Sequence, residues 1–128
     1  MSIKNLLPGK IGLGGAPLGN MFRAIPEDEA HATVSEAWNL GVRYFDTAPL
    51  YGSGLSEIRM GEALSQYPRD EYVLSSKVGR IMLDEMEDPA KRDFGEKGGL
   101  FEHGLKNKIL NDYSADATLR SIEDSLKR

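Results

Sequence analysis

Cysteine is absent from this chain, and with it go disulfides, thiolate zinc sites and thiol nucleophiles. Histidine is scarce. His31 and His103 are the two present, and neither shows a partner at metal-ligand spacing, so no metal site is predicted. Long apolar runs are lacking as well. No stretch could cross a bilayer, and Met1-Ser2-Ile3-Lys4-Asn5 has no signal-peptide core, so the expectation is a cytoplasmic protein with no membrane partner. Positive charge is in deficit: 16 lysines and arginines face 20 aspartates and glutamates, for a net charge of −4. The basic residues are scattered, which argues against a nucleic-acid surface and favours a small substrate.

What is present is ordinary soluble sequence, 128 residues with 40% hydrophobic and 28% charged side chains, enough for one domain or part of a larger one. Residues 3–10 read as an extended piece, followed by a short strand near Ile11 to Leu13 and the loop Gly14-Gly15-Ala16-Pro17-Leu18-Gly19-Asn20. Pro26 suits a first helical position, and Glu27, Asp28 and Glu29 suit the positive end of a helix dipole. Ala30, Val34, Ala37 and Trp38 then form one apolar stripe, and Gly41 stands where a helix-ending glycine belongs. A strand over Val42 to Phe45, a helix over about 55–66 and a strand from Tyr72 to Ser76 follow. The alternation predicts parallel βα units.

Residues 79–113 break the rhythm with charges, Pro89 and glycines at 95, 98, 99 and 104. They read as a long irregular loop, either a partly ordered insertion or a substrate lid. Ser114 is a plausible N-cap for a last helix carrying Ala115, Leu119, Ile122 and Leu126 on one stripe. After it a further strand is due. Three βα units leave an open parallel edge, so the chain is either a small domain or the opening of a barrel of roughly 250 residues.

Three side chains gather chemical interest. Asp46 and Lys77 end successive strands, and Tyr51 lies in the glycine-containing loop just after Asp46. Neighbouring strands lie about 4.8 Å apart, so an Asp46–Lys77 ion pair is within reach. A phenol beside an ammonium ionises more readily, because positive charge favours the phenolate. Such a group can pass a proton to a carbonyl oxygen as hydride reaches the carbon. The plain alternative is that Asp46 caps a loop, Tyr51 packs on it and Lys77 is solvated. Trp38 and Met60 read as core, and Glu57 as a helix cap with cofactor contact as the alternative.

Two longer stretches sharpen this. Gly41-Val42-Arg43-Tyr44-Phe45-Asp46-Thr47-Ala48, with Tyr51-Gly52-Ser53-Gly54-Leu55-Ser56-Glu57 and Gly61-Glu62-Ala63-Leu64, closely resembles the first signature of the aldo-keto reductase superfamily. Ser75-Ser76-Lys77-Val78-Gly79 resembles its catalytic lysine segment. Gly12 to Asn20, Asp112-Tyr113-Ser114 and Arg120 to Leu126 resemble the branch holding L-fucose, D-threo-aldose and L-galactose dehydrogenases and pyridoxal 4-dehydrogenase. The resemblance implies an α/β fold, a (β/α)8 TIM barrel of which residues 1–128 cover about the first three βα units. It implies an NADP or NAD cofactor and a small carbonyl or alcohol substrate of sugar, aldehyde or pyridoxal type. It implies Tyr51 as proton donor or acceptor, Lys77 tuning it and Asp46 holding Lys77. Gly14, Gly15 and Ala16 would lie beside the nicotinamide, with Asp46 near its ribose.

The family's tetrad histidine sits on the fourth strand, which would begin just after Arg128, and neither His31 nor His103 matches it. The chain alone is therefore expected to have little or no activity, with self-association expected if the protein is this short. The rival expectation is a non-catalytic nicotinamide-binding or interaction protein on the same fold.

Overall fold

The computed structural model describes residues 5–86, 100–101 and 103–128. Three short strands, β1 (Leu13–Gly14), β2 (Tyr44–Asp46) and β3 (Val73–Ser75), form a parallel sheet in chain order. Leu13 pairs with Phe45, Gly14 with Asp46, and Asp46 with Ser75. Residues 5–10 are turns and bends, not the extended piece expected there.

Helix α1 (Glu27–Asn39) joins β1 to β2, and α2 (Leu55–Leu64) joins β2 to β3. Pro26 is the N-cap of α1, one place earlier than expected, and the three acids fill the first turn. Their charge complements the unpaired N–H groups there. Gly41 ends the helix at φ 91°, its N–H bonded to the Trp38 carbonyl. A residue with a Cβ is strained at that angle.

The apolar stripes meet the sheet's helical face. Leu18, Ala30, Val34, Phe45, Met60, Ala63, Leu64 and Tyr72 form one buried cluster, with Trp38 and Tyr67 against it. Trp38 stacks on Tyr67 at 3.9 Å between ring centroids and meets Tyr72 edge-on at 6.1 Å. Full burial of one such large side chain contributes about 1.5–3 kcal/mol. This face is what fixes the sheet and therefore the opposite, chemical face.

Residues 79–113 are not irregular throughout. Strands β4 (Arg80–Met86) and β5 (Asn107–Asn111) pair antiparallel, with Ile81 opposite Leu110 and Met82 opposite Ile109. A register irregularity lies between Met82 and Met86. Alternation is short here and the partners are far apart in sequence, so local pattern could not reveal them. Residues 87–99 and 102 of the expected loop lie outside the described residues.

Helix α3 (Ala115–Lys127) begins as expected, with the Ser114 hydroxyl accepting from the Ala117 N–H at 3.2 Å. Its expected apolar stripe is not buried. Leu119, Ile122 and Leu126 are 63%, 44% and 82% exposed, whereas Ala117 and Ser121 are buried. The helix rests on its small residues and leaves its large ones facing out.

Candidate active site

Strand β2 delivers Asp46 to the end of the sheet, and the chain leaving β3 brings Lys77 beside it. The Lys77 Nζ donates to Asp46 Oδ2 at 2.6 Å and to the Thr47 carbonyl at 3.0 Å. It also lies 4.9 Å from the centroid of the Tyr51 ring. Asp46 Oδ1 accepts from the Ser75 hydroxyl at 2.6 Å, and that hydroxyl also meets the Tyr44 phenol at 3.0 Å. The carboxylate is thus held on both oxygens, which fixes its direction toward the lysine.

Partial burial is the largest influence on the Lys77 ammonium and pushes its pKa down. Hydrogen bonding and charge from Asp46 and Tyr51 together outweigh it, holding the group above its ordinary value of 10.5. Lys77 therefore stays a cation at neutral pH while touching a phenol ring, a favourable cation–π placement.

The loop carrying Tyr51 is anchored at both ends. Thr47 N–H donates to the Ser75 carbonyl at 2.9 Å, and Ser56 N–H to the Tyr51 carbonyl at 3.1 Å. Beneath it the buried Ser56 hydroxyl meets Thr47 at 2.9 Å and donates to the Gly15 carbonyl at 2.6 Å. These contacts tie β1, β2 and α2 into one rim.

Gly14, Gly15 and Ala16 sit at the end of β1, next to Asp46 in register. A Cβ on Gly14 would meet nothing within 4 Å, so this backbone stands open. A Cβ on Gly15 would come within 2.7 Å of the Ser56 hydroxyl and 2.8 Å of the Met60 methyl. Its missing side chain is explained by internal packing. Gly14 is exposed and Ala16 and Asp46 are half-buried, so this rim of the sheet is open.

A cleft of about 330 Å³ is lined by Ala48, Pro49, Leu50, Tyr51, Lys77, Val78, Arg80 and Tyr113. A larger cavity of about 500 Å³ runs behind β3 against α2 and α3. Of its charged members, Glu57 and Arg128 pair with each other at 2.6 Å, and Arg69 donates to the Tyr72 carbonyl. Lys77, which lines both cavities, is held by Asp46, while Leu74, Ile122 and Leu126 make the rest apolar. The smaller cleft is the one that Tyr51 lines together with Lys77.

Neither histidine lines that cleft. His31 does have carboxylates near it, contrary to the sequence reading: Glu27 one turn away at 3.9 Å and Glu62 of α2 at 3.4 Å. Glu27 is engaged by Arg59 at 3.0 Å, so the group reads as a helix-to-helix brace. The His103 carbonyl accepts from Asn20 at 2.8 Å.

Several positioning residues escaped the sequence reading. Arg59, 5% exposed, donates to the carbonyls of Leu18 and Ile25, to Asn20 and to Glu27, clamping the loop after β1 onto α2. Glu57 is not a cap; it accepts from Ser76 and Arg128, both at 2.6 Å. Phe101, 7% exposed, stacks on Tyr51 at 5.7 Å and 28°. Their partners are 19 to 71 residues away, which no local spacing can register.

The chain is similar to several known proteins. A D-threo-aldose 1-dehydrogenase from Pseudomonas sp is 49% identical over 85 residues, 66% of this chain and 25% of that protein. A pyridoxal 4-dehydrogenase from Microbacterium luteolum is 37% identical over 121 residues, covering 92% of this chain and 35% of that protein. A glycerol dehydrogenase structure from Gluconobacter oxydans superposes with TM-score 0.64 at 26% identity, over 94% of this chain and 34% of that one. The chain thus spans about a third or less of the length of these relatives. Its fold is that of the aldo-keto reductase (β/α)8 barrel, of which it supplies about the first three βα units. Among the described residues, no helix is long and apolar enough to cross a membrane. The model of the aldo/keto reductase family matches residues 10–128, and the chain belongs to that family.

Proposed function

We propose that these residues form the acid–base part of an NADP- or NAD-linked oxidoreductase site that interconverts a carbonyl and an alcohol on a small sugar, aldehyde or pyridoxal-type substrate. The observation that carries this is the Lys77 ammonium held between the Asp46 carboxylate at 2.6 Å and the Tyr51 ring at 4.9 Å. Gly14, Ala16 and Asp46 would hold the nicotinamide, and Gly15 shapes the turn beneath it. When bound, that cofactor supplies the hydride or accepts it. Tyr51 gives its phenolic proton to the substrate oxygen as the carbonyl carbon is reduced, or takes the proton back in the reverse direction. Lys77 steadies the negative charge left on the phenol, and Asp46 keeps Lys77 in place.

The histidines of residues 1–128 do not line the cleft, and the chain spans only part of its relatives. The isolated polypeptide is therefore expected to turn over slowly or not at all. The test is a chimera in which residues 1–128 replace the matching N-terminal third of the Microbacterium pyridoxal 4-dehydrogenase. The chimera should oxidise or reduce that enzyme's substrate, and Tyr51→Phe should lower kcat by roughly 10²–10⁴-fold with cofactor binding retained. Unchanged turnover in Tyr51→Phe would dismiss the tyrosine chemistry.

A further inference from the structure

We infer that Phe101 is a positioning residue for Tyr51, and that the backbone on either side of it staples the Tyr51 loop to the loop after β1. This rests on the role proposed for Tyr51 and adds how the ring is kept over Lys77.

The Tyr51 ring meets two side chains. The Lys77 ammonium approaches its centroid at 4.9 Å, and the Phe101 ring stacks on it at 5.7 Å with 28° between planes. Phe101 is itself 7% exposed, so its ring cannot drift without opening the contact. A stacked pair of this kind is favourable beyond its burial and so favours one orientation of the half-buried tyrosine.

The backbone near Phe101 is fastened to both loops. The Leu105 N–H donates to the Gly52 carbonyl at 2.9 Å, directly after Tyr51. The Phe22 N–H donates to the Leu100 carbonyl at 2.8 Å. Asn20 donates to the His103 carbonyl at 2.8 Å, while its side-chain oxygen accepts from the buried Arg59 at 2.8 Å. Gly104 lies on Gly52 so closely that a Cβ there would fall 2.5 Å from the Gly52 Cα. One segment thus holds the proton-carrying loop and the loop beside the nicotinamide face in fixed relation. Nothing in the local sequence announces this: Phe101 stands in a glycine-rich, charged stretch.

Nuclear magnetic resonance on the 128-residue chain tests the inference, reading the Tyr51 ring shifts and the titration of the Lys77 side chain. Phe101→Leu keeps apolar volume without a ring, and Phe101→Tyr keeps the ring. With Phe101→Leu, the Tyr51 ring resonances should lose the displacement caused by the stacked neighbour. The Lys77 midpoint should fall, because Tyr51 is one of the groups that raise it, and Phe101→Tyr should restore both. Unmoved Tyr51 resonances in Phe101→Leu would overturn the inference. So would moved resonances with an unchanged Lys77 midpoint, which would make the stack mere packing. Tyr51→Phe separates the two claims: a Lys77 midpoint indifferent to that change defeats the lysine–phenol coupling itself, and the ring shifts then decide the role of Phe101 alone.

Discussion

Asp46 Oδ2 and Lys77 Nζ are 2.6 Å apart although they leave different strands, because Asp46 pairs in register with Ser75, two residues before the lysine. A group held above its ordinary pKa contributes stability that is present in full below that ordinary value. The contribution is lost as pH rises through the folded-state value. Lys77 is such a group. Urea unfolding midpoints should therefore hold steady at neutral pH and decline at strongly alkaline pH. In Asp46→Asn the Lys77 contribution to that decline should shrink, since the carboxylate is gone. An alkaline profile unchanged by Asp46→Asn would show the pair to be without energetic coupling.

The Arg59 cluster makes a second prediction. Its guanidinium is buried and satisfies two backbone carbonyls besides Glu27 and Asn20. Arg59→Met should destabilise by roughly 3 kcal/mol, the scale of breaking a buried charged network. Arg59→Lys should recover little, because a point charge cannot reach the same fork of acceptors. Chemical denaturation measures both.

The start of α3 gives a third. Ser114→Ala removes the cap on the Ala117 N–H and should cost about 1 kcal/mol. Asp112 accepts from the Ser114 N–H, chiefly through that backbone bond, and its pKa is lowered from 3.8. The sign is opposite to that of Lys77: its contribution is present above 3.8 and lost as pH falls through the lower folded-state value. Protection factors of the helix-terminal amides, taken relative to the slower intrinsic exchange in acid, should fall at acid pH in the native chain, and less so in Asp112→Asn.

Burial makes a fourth prediction, by contrast. Phe45→Ala should cost roughly 3–5 kcal/mol, since Phe45 is fully buried. Leu126→Lys should fall within about 0.5 kcal/mol, since Leu126 is 82% exposed. A large loss at Leu126 would mean that its face is covered in solution.

The βα order, the parallel sheet and the meeting of Asp46 with Lys77 were legible because each rests on local periodicity and strand-end spacing. Ser114 was legible as a cap for the same reason. Glu57, Arg59 and Phe101 were not, because each acts on partners 19 to 71 positions away, and spacing along the chain carries no trace of such pairings. The β4–β5 pair failed for a related cause, its strands lying on either side of a polar, glycine-rich interval. The α3 stripe was read correctly as a pattern, but its burial requires neighbours that the described residues do not provide.

Strand β2 is three residues long and alternates Tyr44, Phe45, Asp46. Sliding it by a single place against β3 would swing the aromatic out of the oily interior and the acid into it. The benzyl group therefore works as an alignment peg for the carboxylate next door. Damage at that peg should part Asp46 from Lys77 without altering either side chain.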